Sequence, residues 1–148
     1  MSATNSFETS LLQHIFQNAA IANIGDVTGL PASATAGSLF VSLHTADPGE
    51  AGAQNTSEVS YTGYARQAVA RSGSGWTVSG NNASNAAAIA FGPCTAGSAT
   101  ITHFGIGTAS SGAGNLLFKG ALGASISVTT SSNATQTFAV GALDVDVD

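Results

Sequence analysis

Apolar positions recur at helical spacing near the start of the chain. Within NSFETSLLQHIFQNAA, residues Phe7, Leu11, Leu12, Ile15, Phe16 and Ala19 form one apolar stripe. The pattern predicts a helix within residues 1–20. Asn5 is placed to cap it, with Glu8 three residues on, near the positive helix end. A helix of about four turns is too short to persist alone in water. Its stripe must lie on the rest of the domain or on a partner, where each large buried side chain contributes ~1.5–3 kcal/mol. The simpler expectation is that it covers one face or one open end of the domain, and packing between subunits is the alternative. From Ile21 to Gly37 no period is visible. Gly25, Gly29, Pro31 and Gly37 punctuate this stretch, which reads as an extended connecting arm.

From Ser38 onward the period changes to two. Leu39, Val41 and Leu43 fall on one face of SLFVSLHT, and Phe40, Ser42 and His44 on the other. Asp47-Pro48-Gly49 is a strong turn signal, because Pro48 fixes φ and Gly49 tolerates positive φ. A polar loop follows. YTGYARQAVAR, GWTV, AAAIAFG, SATITHFGIGT, NLLFKGAL, ASISVTT and ATQTFAVGALDVDV all read as strands. Turns separate them at Gly73–Gly75, Gly80–Asn82, Gly92–Pro93, Ser110–Gly114 and Ser131–Asn133. About eight short strands at this spacing predict a mainly β protein, an antiparallel, jelly-roll-like β-sandwich over residues 38–148. In the last strand Phe138 and Val140 share one parity, and Leu143, Val145 and Val147 the other. A bulge at Gly141 would keep both groups facing the core. Trp76, the single tryptophan, begins a short strand and is expected in the core.

Composition changes the picture in one respect. Only 7% of the 148 residues are charged, against roughly 25% in ordinary domains. A surface so poor in charge is weakly protected against association. It fits either a surface covered by neighbouring chains or a β-rich domain with a Ser/Thr/Asn exterior. The net charge is −5, and Arg66, Arg71 and Lys119 are the only lysines and arginines. Nucleic-acid binding needs clustered cations and is not expected. No run of eighteen apolar residues predicts a membrane span, and the first residues lack the basic region of a secretory signal. The lone Cys94 excludes an intramolecular disulfide.

Candidate chemistry is thin. His44 and Asp47 lie close to Ser42 and Ser57, but no G-x-S-x-G elbow is present, and the His44 imidazole is expected to bond the following turn. His14, His44 and His103 lack metal-ligand spacing. Asp144, Asp146 and Asp148 share one strand face, where they could bind Ca²⁺ but read better as a charged edge that blocks strand pairing. Gly107–Asn115 joins two strands and opens no helix, so it is not a phosphate cradle. No catalytic set, cofactor or metal is expected, and the chain does not read as an enzyme. Arg66, next to Tyr64, should be paired with Asp47, Glu50 or Glu58. Such a charge-assisted fork would pin the loop to the strand, with Tyr61 and Tyr64 adding flat apolar area. Residues 42–71 thus read as an ordered, locked loop.

The elements LLQHIFQNAAIANIGD, LFVSLHTADPGEAG, YTGYARQAVAR, GWTVSG, THFGIG and FAVGAL resemble a group of small virion structural proteins of tailed bacteriophages. Members of that group are labelled tail-fibre-like or head-decoration proteins. The resemblance implies a β-sandwich particle protein that works as part of an assembly. It brings no catalytic residues. The role it suggests first is a capsid decoration, or cement, protein on the outer surface of the head. Such a protein would be made in the host cytoplasm, form homo-oligomers such as trimers, and clamp the major capsid protein. The alternative is a tail-fibre or baseplate module that binds a host receptor or glycan. Phe7, Leu11, Leu12, Ile15 and Phe16 on the helix, and Asp47, Glu58, Tyr64 and Arg66 around the loop, are the candidate structural and interaction residues.

Overall fold

A computed structural model describes residues 2–131 and 136–147. Among them the chain forms one helix, α1 (Asn5–Gln17), and nine strands. The strands are β1 (Ser38–His44), β2 (Gln67–Ala70), β3 (Trp76–Ser79), β4 (Asn82–Asn85), β5 (Ile89–Ala90), β6 (Ser98–Gly107), β7 (Leu116–Thr129), β8 (Thr137–Phe138) and β9 (Asp144–Asp146). They build sheets ordered β2-β1-β6-β7, β3-β4-β9 and β5-β8. The protein is therefore mainly β, with antiparallel sheets and an N-terminal helix. Its chain divides into two compact units: Met1–Ser38 with Val69–Ile89 and Phe138–Asp148, and Leu39–Ala68 with Ala90–Thr137.

The first unit contains the helix. Its N-cap is Thr4, not Asn5: the Thr4 carbonyl already accepts the N–H groups of Phe7 and Glu8, so Asn5 is drawn into the first turn. The helix stops at Asn18, which takes the left-handed conformation (φ 56°) tolerated by asparagine. The Ala19 N–H then returns to the Gln13 carbonyl at 3.1 Å. Leu12 and Phe16 are fully buried, and the Phe16 ring meets Trp76 edge-on at 4.7 Å. The segment after the helix has little regular structure but is tied to this unit along its length. Ile21 pairs with Leu30, and the Asn18 side chain bonds both the N–H and the carbonyl of Ser33 at 2.9 Å.

β3 and β4 form a hairpin in register from Trp76↔Asn85 to Ser79↔Asn82, and β9 pairs with β4. The turn predicted at Gly80–Asn82 gives way to a strand already at Asn82, and Ala83 and Asn85 alternate inward. Asn85 takes a core position by satisfying its own amide. It donates to the carbonyls of Ala87 and Ala139 and accepts the Leu143 N–H. No bulge keeps Val140 inside. Gly141 (φ 71°) and a bond from the Ala142 N–H to the Ala139 carbonyl make a turn that separates β8 from β9. Val140 is 66% exposed, while Leu143 and Val145 are buried. Asn133 and Asp148, from the predicted turn and acidic row, lie outside the described residues.

The second unit is built on β1, β6 and β7. Val41 opposes Ile106 and Leu43 opposes Phe104. β1 is buried on both faces, so Ser42 and His44 are as enclosed as Leu39, Val41 and Leu43. β7 joins two stretches that the pattern keeps apart. Its pairing with β6 jumps from Ile126 to Ala121 between Ile101 and His103, an irregularity that lets one strand run through. The predicted strand from Tyr61 contracts to β2. Gly63 (φ 102°) and a Tyr64 N–H to Tyr61 carbonyl bond turn the chain first. The Tyr61 and Tyr64 rings consequently meet at 5.6 Å, and Tyr64 stacks on Phe91 at 6.1 Å.

Candidate functional site

Arg66 is the centre of the polar network in the second unit. Its Nε and Nη2 donate to Oε1 and Oε2 of Glu58, both at 2.7 Å, a two-pronged fork. The same guanidinium donates from Nη1 to the Ala109 carbonyl (2.9 Å) and from Nη2 to the Gly112 carbonyl (2.7 Å). The Tyr64 hydroxyl donates to Glu58 Oε1 (2.7 Å) and accepts the Leu43 N–H (3.1 Å). The Arg66 side chain is 2% exposed and that of Glu58 15%. The hydrogen bonds it donates to Glu58 hold the Arg66 pKa above its ordinary value, and burial pushes the Tyr64 phenol strongly upward. One cation thus joins the loop after β1 to the β6–β7 connection. Of the three carboxylates proposed for Arg66, only Glu58 meets it. Asp47 and Glu50 instead hold Lys119, at 3.1 and 3.0 Å, on an exposed surface.

His44 and Ser42 form a second buried cluster beside it. The Thr56 carbonyl can only accept, so His44 Nδ1 carries the hydrogen of their 2.8 Å bond. Nε2 then accepts from the Ser42 hydroxyl at 2.9 Å. This is the hydrogen-bond order of a nucleophile–base pair, but a carbonyl stands where a carboxylate would orient the base. Both side chains are 0% exposed. Burial lowers the His44 pKa, so the imidazole is neutral near pH 7. The arrangement fixes a strand to a loop. Gln54 does the same farther along, donating to the Phe40 carbonyl (2.8 Å) and accepting the Ala109 N–H (3.2 Å) while fully buried. Room for these side chains comes from β6: a Cβ on Gly105 would lie 2.7 Å from His44 Nε2, and one on Gly107 would run into Gln54 Cδ.

In the first unit the helix divides its predicted stripe. Leu12 and Phe16 are buried, Leu11 and Ile15 are half-buried, and Phe7 is 42% exposed. Buried Glu8 continues the Leu12–Phe16 row one turn back. At the other helix end Arg71 donates to the carbonyls of His14 and Ile15, both at 2.6 Å, and of Ala36 at 3.1 Å. A cation there complements the negative end of the helix dipole. Five of the eight carboxylates and only this one of the three cations belong to the first unit. Asp144 and Asp146 are exposed on β9, at the sheet edge, and both accept from the Asn82 amide. Among the described residues no three His, Cys, Asp or Glu side chains converge on a metal position.

The sequence pattern points to the loop lock through its rare charges. Gln54 and Asn85 go unmarked, because polar residues that bury themselves by satisfying backbone groups carry no spacing signal. The glycines of HFGIG are the one trace, since a β-strand interior holds glycine where another group approaches closely. No curated protein matches the chain. A protein-family model described as "Podophage GP4 fiber I protein gp80" matches residues 2–146. That span takes in both units and every candidate residue, and the protein belongs to this family of phage virion structural proteins.

Proposed function

We propose that this protein is a fibre component of a podophage tail, which meets a host receptor or glycan and acts by binding. The observation that carries this reading is the match to a fibre I family model over residues 2–146. It favours the tail-fibre role over the cement role that the sequence puts first. A binding rather than a catalytic role is supported by the enclosure of the Ser42–His44 pair. A low-charge exterior suits a chain whose neighbours are copies of itself and other virion proteins. The half-exposed Phe7–Leu11–Ile15 side of α1 offers such neighbours apolar area. Separation of purified particles into heads and tails, followed by quantitative mass spectrometry, tests the reading. The chain is expected in the tail fraction. Recovery with heads, together with earlier thermal rupture of heads stripped of it, would return the cement role.

A further inference from the structure

β7 ends the sheet ordered β2-β1-β6-β7, and among the described residues β6 is its only strand neighbour. It runs for 14 residues, against about five or six in an ordinary strand. Half of the N–H and C=O groups of such an edge point away from the sheet, where another strand can take them. Only Val128 of this strand is buried. Pairing with β6 is regular over Phe118–Ala121 and irregular on either side, so this is the stretch where a further strand can lie flat. Edges are commonly defended by like charges, proline or short length. β9 follows that rule, with Asp144 and Asp146 exposed on it. β7 does not. Its sole ionic side chain is Lys119, and Lys119 is neutralised: Nζ lies 3.1 Å from Asp47 Oδ1 and 3.0 Å from Glu50 Oε1.

These features fit a second copy of the same chain. A two-fold contact sets one patch against its own image. With the axis within Phe118–Ala121, the two Lys119 side chains fall close together, and each brings the carboxylates of Asp47 and Glu50 with it. The Glu50 side chain is 94% exposed, so it is free to reach the Lys119 of either copy. Cation and carboxylates thus complement themselves, a match that an unrelated strand would have to reproduce. Beside Lys119 opens a pocket of about 270 Å³, between Gly49, Glu50 and Gly52 of the loop and Leu116 and Leu117 of the strand. It is small for a ligand site but takes one aliphatic side chain. Leu117, 42% exposed at the same edge, is the side chain that a second copy brings there. All of these groups belong to the second unit. We propose that two copies of this protein pair antiparallel through their β7 edges at Phe118–Ala121, with Lys119 and Glu50 meeting across the axis. The inference goes beyond the fibre reading and does not rest on it, since such a pair serves a tail or a head alike.

Sedimentation equilibrium on the full chain, from micromolar to submillimolar concentration, tests it. A monomer–dimer equilibrium is the expected result. Leu117→Lys, folded with an unchanged Tm, should weaken the dimer by about tenfold or more, because it sets a like charge beside the Lys119 pair. Ser127→Lys lies beyond the irregular register and should leave the dimer unchanged. A second readout needs no variant: carbodiimide coupling of a mixture of ¹⁴N- and ¹⁵N-labelled chains should give Glu50–Lys119 peptides that carry both labels. A monomer at every concentration overturns the proposal. So does a trimer, or a dimer that Leu117→Lys leaves intact. Coupled peptides that never carry both labels overturn it as well, even should Leu117→Lys not fold. None of these outcomes bears on where in the virion the chain sits, so the fibre reading stands or falls separately.

Discussion

Arg66 satisfies four acceptors at once, both Glu58 oxygens and two carbonyls, and Glu58 Oε1 also accepts the Tyr64 hydroxyl. Arg66→Ala would leave the Glu58 carboxylate and two carbonyls unpaired, and should cost about 3–5 kcal/mol in chemical denaturation. A Glu58→Gln/Arg66→Met pair should lose less than Arg66→Ala alone; an equal or larger loss would show that the fork is not the source. His44 sets a pH dependence. Its folded pKa lies below the usual value of about 6.5, so the unfolded chain binds the proton more readily. Stability is therefore full above pH ~6.5 and falls as pH drops from there toward the lowered folded value. Thermal unfolding between pH 7.5 and 5 should show this decline, and His44→Gln should flatten it. Gly105→Ala would press a methyl group against His44 and Ser42 and should cost about 1–3 kcal/mol. Gly123→Ala, with nothing within 4 Å, should be near neutral. Of this cluster, only the Arg66–carboxylate pairing is legible in the sequence, because a lone cation in a neutral β protein demands a partner. Which carboxylate it takes depends on Tyr64 being turned by Gly63, which spacing does not reveal.

At the scale of elements, the helix shows what periodicity can and cannot say. The stripe from Phe7 to Phe16 fixes its existence, yet burial selects the Glu8–Leu12–Phe16 row and leaves Phe7–Leu11–Ile15 at its side. The selecting groups, Trp76 against Phe16 and Gln17 donating to the Trp76 carbonyl at 2.9 Å, lie about sixty residues away and have no local signature. Arg71 closes the helix end. Arg71→Ala should cost about 1–2 kcal/mol, since it frees last-turn carbonyls and removes a charge complementary to the dipole. Hydrogen exchange should quicken selectively over His14–Asn18; protection unchanged there would contradict the role given to Arg71. Strand boundaries mislead the pattern where polar residues are buried, as at Asn82–Asn85, and where an irregular register lets one strand continue, as in β7.

For the whole molecule, charge is divided unevenly. Each carboxylate of the second unit is in an ion pair, whereas the first unit has one cation, already committed to helix carbonyls. Sparse charge is plain in the sequence, and the resemblance carried by its motifs implies a particle protein. They do not distinguish head from tail, because both kinds of neighbour reward the same exterior; the fibre family match tips that balance. The most direct measurement is cryo-electron microscopy of intact virions at a resolution that traces this chain. Density for the α1 helix and the β6–β7 hairpin within the tail fibres is the predicted result. The same density on the outer lattice of the head, with none in the tail, would contradict the account.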